Sequence, residues 1–383
     1  MIDTAWICAP VRTPFTRATK GGLASRRADG LLAGLFIHLL ATLPESAVAD
    51  VEEVIVGCAY PEGEQGRNVA RAIALGAGLP DAVSAMTLTR LCASSLEATA
   101  IACAKVRLGE AELVLVGGME SMSRIPLGGA NPSPHPAWRE RRPDIYMAMG
   151  ETAERVARRH GVARADQDAW ALRSHQRAAA ARARGVLAEE IVPVETAEPH
   201  PVREDDSIRP DTTAEKLAAL KPAFAADGTV TAGNACPTSD GASALIVASE
   251  RAARELGLAP LGRFVAYAVA GVDPALMGIG PIEAVPRALA RAGLGLGEMD
   301  RIELNEAFAS QVIAVARALR LPEDRTNVNG GAIALGHPLG ATGARLAGTL
   351  LRELSRAQGR YGLATLCVGG GMGAAMVVER TGG

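Results

Sequence analysis

The sequence contains no cysteine pair at C-x-x-C spacing, no H-E-x-x-H, no acidic cluster at ligand spacing and no Walker-type phosphate loop. It therefore offers no residue pattern for a structural zinc, a metalloprotease helix or a P-loop. It also lacks any block of five or six like charges, with 40 Lys plus Arg against 42 Asp plus Glu and a formal charge of -2. That balance argues against a dedicated nucleic-acid or membrane-surface binder. The longest uncharged apolar run, Gly30 to Pro44, is too short to span a bilayer, and Asp3 and Arg12 interrupt the apolar stretch that a signal peptide needs. No membrane insertion is expected. Six cysteines scattered without pairing fit a reducing, cytoplasmic compartment.

What is present is ample. A chain of 383 residues, 48% hydrophobic and 21% charged, can bury a sizeable core and exceeds one small module. Residues 1–120 alternate short apolar runs with helical patterns, and Ala5 to Ala9, Val54 to Cys58, Ala85 to Leu91 and Glu112 to Gly118 read as strands. Between the last two, Leu96, Ala100, Cys103 and Val106 follow helical spacing and Gly109 ends the helix, which predicts a right-handed parallel crossover. Residues 121–248 break the pattern with a Gly/Pro-rich stretch and polar helices over Glu151 to His160 and Asp166 to Arg184, whose arginines read as solvated. This segment is expected to be an insertion, after which 249–262 return to the first half. From 263 to 383 the α/β theme resumes, with strands at Asp300 to Leu304 and Gly362 to Gly369 and helices at Ala307 to Arg320 and Gly340 to Arg356. LVLVGGMESMS (Leu113 to Ser123) and ATLCVGGGMGAAM (Ala364 to Met376) each run a buried strand into glycines after a helix. A duplicated fold would set Cys92 and His337 at comparable helix N-termini facing one cleft.

Four positions stand out chemically. Cys92 sits where a strand meets a helix, so exposed amides would favour its thiolate. That dipole is worth about 0.3–1 kcal/mol, less than the ~1.4 kcal/mol of one pKa unit, so a reactive Cys92 needs a further partner such as histidine. On position alone, a packed structural cysteine is the commoner reading. His337 lies in a glycine-dense segment that permits close backbone approach, whereas the other five histidines fall on helices or in proline-rich loops. Cys367 ends a strand before Gly369-Gly370-Gly371, whose amides could serve a developing oxyanion. Asn305 ends another strand, where a carboxamide can orient a water, or merely cap a turn. The run GGGMGA satisfies a dinucleotide pattern, but no helix or acidic residue follows in the required place, so nicotinamide and flavin are rejected.

Taken together, CASS (Cys92 to Ser95), NEAFA (Asn305 to Ala309), GGAIALGHP (Gly330 to Pro338) and CVGGGMG (Cys367 to Gly373) resemble the signature set of the thiolases, the acetyl-CoA acetyltransferase and 3-ketoacyl-CoA thiolase family. The resemblance extends to RTPF, GGMESMS, MGETAE, KPAFAADGTVTAGN and MGIGP, in order along nearly the whole chain. It implies an α/β fold of five layers, αβαβα, built from two similar halves with a loop domain that covers the active site and binds coenzyme A. It implies cleavage of a 3-oxoacyl-CoA by CoA, or the reverse condensation of two acetyl-CoA. Cys92 would be the nucleophile, His337 its activator, and Cys367 the acid/base at the α-carbon. Asn305 would hold a water that forms one oxyanion site with His337, and the amides of Cys92 and Gly369 would form the other. Arg209, Ala232, Gly233 and Cys236 would line the CoA groove, with Met149, Met277, Ala307 and Phe308 around the acyl end. CoA thioesters are then the substrates, no metal or permanently bound cofactor is implied, and a homodimer or homotetramer is expected. Two departures are visible: Cys236 stands where the family usually has serine, and Ser95 where glycine is commoner, which would narrow the pocket.

Two other readings remain open at this level. A cysteine hydrolase would use Cys, His and Asn but leave the second thiol idle. A non-catalytic acyl-CoA or lipid carrier on the same fold would be indifferent to Cys92→Ala. The stretch DDSIRPDTTAEKLAALKPAF resembles the degradative members, which favours β-oxidation of a short or medium chain.

Overall fold

The computed structural model describes residues 3–382. Its strands are β1 (Trp6–Arg12), β2 (Thr16–Arg17), β3 (Glu53–Cys58), β4 (Ser84–Leu88), β5 (Leu113–Ser121), β6 (Ser239–Ala248), β7 (Pro260–Gly271), β8 (Met299–Leu304), β9 (Tyr361–Val368) and β10 (Met372–Arg380). Helices α1 (Ala28–Leu40), α2 (Val69–Gly76) and α3 (Ser94–Leu108) belong to the first half. Then come α4 (Pro136–Arg141), α5 (Met149–Arg159), α6 (Arg164–Ala183), α7 (Ala214–Ala218) and α8 (Glu250–Glu255). The second half holds α9 (Gly280–Ala292), α10 (Ala309–Leu319), α11 (Ala332–Leu335) and α12 (Thr342–Ala357).

Along the central strands, successive residues enter different cores. Val54 and Val56 of β3 face α1 and α2 while Ile55 faces α3, and in β10 Ala375 and Val377 face α9 while Ala374 and Met376 face α3 and α12. Strands buried on both faces read as continuous apolar runs, which is why they were visible in the sequence. The strand order β4-β3-β5-β6-β1-β7-β10-β9-β8 contains the duplication. β3 and β5 are parallel, with antiparallel β6 and β1 following; β8 and β9 are parallel, with antiparallel β10 and β7 following. The halves join through a short β1–β7 pairing, and α3 and α12 lie between them. The layers therefore run α1/α2, first half-sheet, α3/α12, second half-sheet, α9/α10. The close packing of the middle layer needs Gly343, because a Cβ there would collide with the Leu96 backbone.

Four expectations need correction. The insertion does not run to Ala248: Ser239–Ala248 form β6, wholly buried beside β5 and β1, so the departure from the α/β pattern ends at about residue 238. The second half begins with β7 at Pro260, not at residue 263. The strand expected over Ala85 to Leu91 stops at Leu88, because Leu91 takes a left-handed φ of 44° to swing the chain into the turn Leu91–Ala93 ahead of α3. The polar helix α6 is also not simply solvated, since Gln167, Asp168, Ser174 and His175 are buried against the rest of the inserted segment and the second half.

Candidate active site

The tight turn that presents Cys92 is built by its neighbours. Ser94 Oγ accepts from the Arg90 amide at 2.9 Å and donates to Leu91 O at 2.6 Å, and Arg90 pairs with Glu97, which also accepts from Tyr267 of β7. Cys92 thus heads α3 in the middle layer, only 9% exposed. Burial pushes its thiol up to about 11, against the pull of the Gly369 amide and of its own amide, with the Glu120 charge adding to the rise. The two amides assigned by resemblance to one oxyanion site therefore both favour negative charge on the Cys92 sulfur.

His337 lies in the turn between α11 and α12. Its Nδ1 is 2.7 Å from Thr342 Oγ1, and that hydroxyl donates to Pro338 O at 2.8 Å. With its single proton committed there, Thr342 accepts from Nδ1–H, which leaves the lone pair on Nε2. Asn305 Nδ2 lies 3.3 Å from that Nε2, while Asn305 Oδ1 is buried without a partner. Ser239 Oγ accepts from the His337 amide at 3.1 Å. Burial, reinforced by the Arg345 charge, lowers the imidazole to about 3.

Cys367, near the end of β9, is 1% exposed, and burial raises its thiol well above the ordinary value. A charge on Cys92 or Cys236 would raise it further. Cys236 is half-buried; its thiol is pushed up to about 12 by burial first and then by Cys92. Three sulfurs from three parts of the chain thus share one electrostatic environment. The Cys236 amide donates to Ala307 O at 3.0 Å and Ala235 bridges to Phe308, so the loop from 231 to 236 runs beside the end of β8. Met149, Met277, Ala307 and Phe308 pack with Cys367 in one apolar cluster, together with Ala153 and Val230.

Of the remaining CoA-groove candidates, Ala232 is exposed and Gly233 is buried against Leu217 and Leu220. Arg209 is exposed, and its amide donates to His175 Nδ1 at 3.3 Å. Ser95 does not narrow the pocket. Its hydroxyl accepts from the Ala344 amide in the first turns of α12, so its side chain is spent between the two helices. Sequence reasoning missed Thr342 and Glu120. The signals available were a threonine five residues past the histidine and a glutamate inside an apolar strand.

Among the described residues no group of His, Cys, Asp or Glu forms a metal cluster, and no helix is long and apolar enough to cross a membrane. A surface cleft of about 380 Å³ between α6 and α10, lined by Trp170 and Arg173, is separate from the thiols.

Two buried thiols and a neutral imidazole on a duplicated α/β scaffold are a set suited to acyl transfer. Family models for the thiolase N-terminal and C-terminal domains match residues 5–251 and 258–380. The chain is 49% identical to the 3-ketoacyl-CoA thiolase of Bacillus subtilis, over 98% of this chain and 99% of that one. It is 48% identical to the 3-oxoadipyl-CoA/3-oxo-5,6-dehydrosuberyl-CoA thiolase of Escherichia coli, with the same coverage. Crystal structures of human mitochondrial 3-ketoacyl-CoA thiolase superpose with TM-scores of 0.91 alone and 0.90 in complex with CoA, at 39% identity, covering 99% of this chain and 99% and 98% of theirs. The chain belongs to the thiolase family and is an acyl-CoA acyltransferase of the five-layered fold.

Proposed function

We propose that this thiolase works in the degradative direction on a short or medium 3-oxoacyl-CoA, with Cys92, His337, Cys367, Asn305 and Gly369 in the roles the family motifs imply. The Cys92 sulfur attacks the 3-oxo carbon as its proton passes to His337 Nε2. The amides of Cys92 and Gly369 hold the resulting oxyanion. The C2–C3 bond then breaks, and the electron pair leaves on an acetyl-CoA enolate stabilised at the Asn305/His337 site. Cys367 gives the enolate its proton, releasing acetyl-CoA and leaving an acyl thioester on Cys92. The incoming CoA thiol gives its proton to Cys367 and attacks the thioester; Cys92 leaves and recovers its proton from His337.

The observation that carries this reading is the Thr342–His337–Asn305 chain, which leaves Nε2 as the acceptor. A thiol near 11 and an imidazole near 3 are both uncharged at neutral pH, so proton transfer accompanies attack rather than preceding it. The apolar wall of Met149, Met277, Ala307 and Phe308 favours an apolar acyl chain over one that ends in a carboxylate. The position of the 231–236 loop supports Ala232, Gly233 and Cys236 as part of the CoA approach, and Arg209 is assigned on motif alone. A cytoplasmic homodimer or homotetramer is proposed on the family resemblance.

The test is incubation with acetoacetyl-CoA with and without free CoA, followed by a 3-oxoacyl series that includes 3-oxoadipyl-CoA. Cleavage that requires CoA and favours the unsubstituted short chains is expected. Hydrolysis without CoA, or preference for the carboxylate-bearing substrate, would overturn the mechanism or the substrate class respectively.

A further inference from the structure

Glu120 stands near the end of β5 in an otherwise apolar run, and its carboxylate is fully buried. It accepts from the amides of Ala59 at 2.8 Å and Tyr60 at 3.4 Å, from Gln65 Nε2 at 2.7 Å, and from the Gly340 amide at 3.0 Å. The Cys58 thiol donates as well, at 3.9 Å, so every donor is neutral; burial raises the pKa of the carboxyl and these bonds oppose that rise. A buried carboxylate without a cation is costly, and an apolar residue would serve packing better. The placement of its partners gives a reason for it. Three follow β3 in the first half, while Gly340 belongs to the turn three residues beyond His337. The carboxylate therefore ties the imidazole's turn to the strand ends beside the nucleophile, and its charge acts on Cys92, Tyr60 and Cys58.

We infer that Glu120 is a positioning residue for acyl transfer, fixing the His337 turn beside Cys92 and placing a buried carboxylate in the same site. Burial holds Cys92 as a thiol and the carboxylate adds to that, so thiolate, the form open to alkylation and oxidation, arises only as His337 takes the proton. The other titratable groups that face Cys92 are Tyr60, Cys236 and Cys367, and Arg345 faces His337. None of them bonds to both the first half and the His337 turn.

The inference rests on the roles proposed for Cys92 and His337, but its first test needs no turnover. Iodoacetamide labelling of Cys92, mapped by peptide mass spectrometry at pH 8, is compared in the wild type, Glu120→Gln and Glu120→Asp. Glu120→Gln removes the charge and should label several-fold faster, while kcat for thiolysis falls roughly 10- to 100-fold with KM for CoA little changed. Glu120→Asp keeps the charge but withdraws from Gly340, so kcat falls without faster labelling. Labelling of Glu120→Gln no faster than wild type, or wild-type kcat in either variant, overturns the inference. Should Glu120→Gln not fold, the kcat of Glu120→Asp decides the positioning role. Absence of thiolysis in the wild type would strike the functional reading, while labelling would still decide the effect of the charge.

Discussion

Ser95 Oγ accepts from the Ala344 amide at 2.9 Å, stitching α3, which follows the Cys92 turn, to α12, which follows His337. The amides in a helix's first turn have no partner within the helix, so this hydroxyl satisfies a donor that would otherwise be buried and unpaired. Ser95→Ala should lower stability by about 1–3 kcal/mol in urea unfolding, with a reduced kcat. Unchanged stability would mean that the Ala344 amide finds another acceptor.

The roles proposed for Cys92 and Cys367 should separate cleanly. Cys92→Ala should form no acyl-enzyme on intact-protein mass spectrometry, and an adduct that persists would reassign the nucleophile. Cys367→Ala should still acylate from acyl-CoA but fail to exchange the α-protons of acetyl-CoA. Retained exchange would point to a different base.

Cys236 lies beside Ala307, and its sulfur interacts electrostatically with Cys92 and Cys367. A thiol is a weak hydrogen-bond donor. Cys236→Ser should therefore tighten the approach of the CoA arm, lowering KM for CoA by a factor corresponding to about 0.5–1.5 kcal/mol with kcat little altered. A higher KM would show that the larger sulfur fits its surroundings better than oxygen does.

Burial, aided by Arg345, holds His337 neutral in the fold, with its pKa lowered from 6.5 to about 3. Between these values the unfolded chain binds the proton and the folded chain does not. The stability His337 contributes is thus complete above pH 6.5 and is lost as pH falls from there toward 3. His175, lowered to about 4 mainly by burial, acts in the same direction. It remains in both proteins when His337→Gln is compared with wild type. The wild type should lose stability on acidification more steeply than the variant, by up to about 1.4 kcal/mol per pH unit. Parallel curves would refute the neutral, buried imidazole.

The parts of the site visible in the sequence are those in which local chemistry is unusual. Cys92 before a helix, His337 among glycines and Cys367 before three glycines each break a regular pattern, and each lies at an element end in the structure. Strands β3, β5 and β9 were visible because burial on both faces makes them largely apolar. β6 was absorbed into the polar insertion because its first residues, Ser239 and Asp240, are polar; both are fully buried, and Asp240 accepts from Ser121 and Ser123. Arg209 shows the converse limit. A motif match names a residue, but an exposed side chain is tied to a ligand only when its surroundings are known.

The residue types alone determined the repertoire: two thiols, an imidazole and a carboxamide at the ends of elements, within a twofold-repeated α/β pattern. Only the tertiary structure decided how they act on one another. The tautomer of His337 is set by Thr342 and Pro338, the rise of the Cys92 thiol by burial, the alignment of α3 with α12 by Ser95, and the tie of the His337 turn to the end of β3 by Glu120. Each of these depends on through-space distances between residues remote in the chain, on which both desolvation and hydrogen bonding depend, and spacing along one sequence does not encode them.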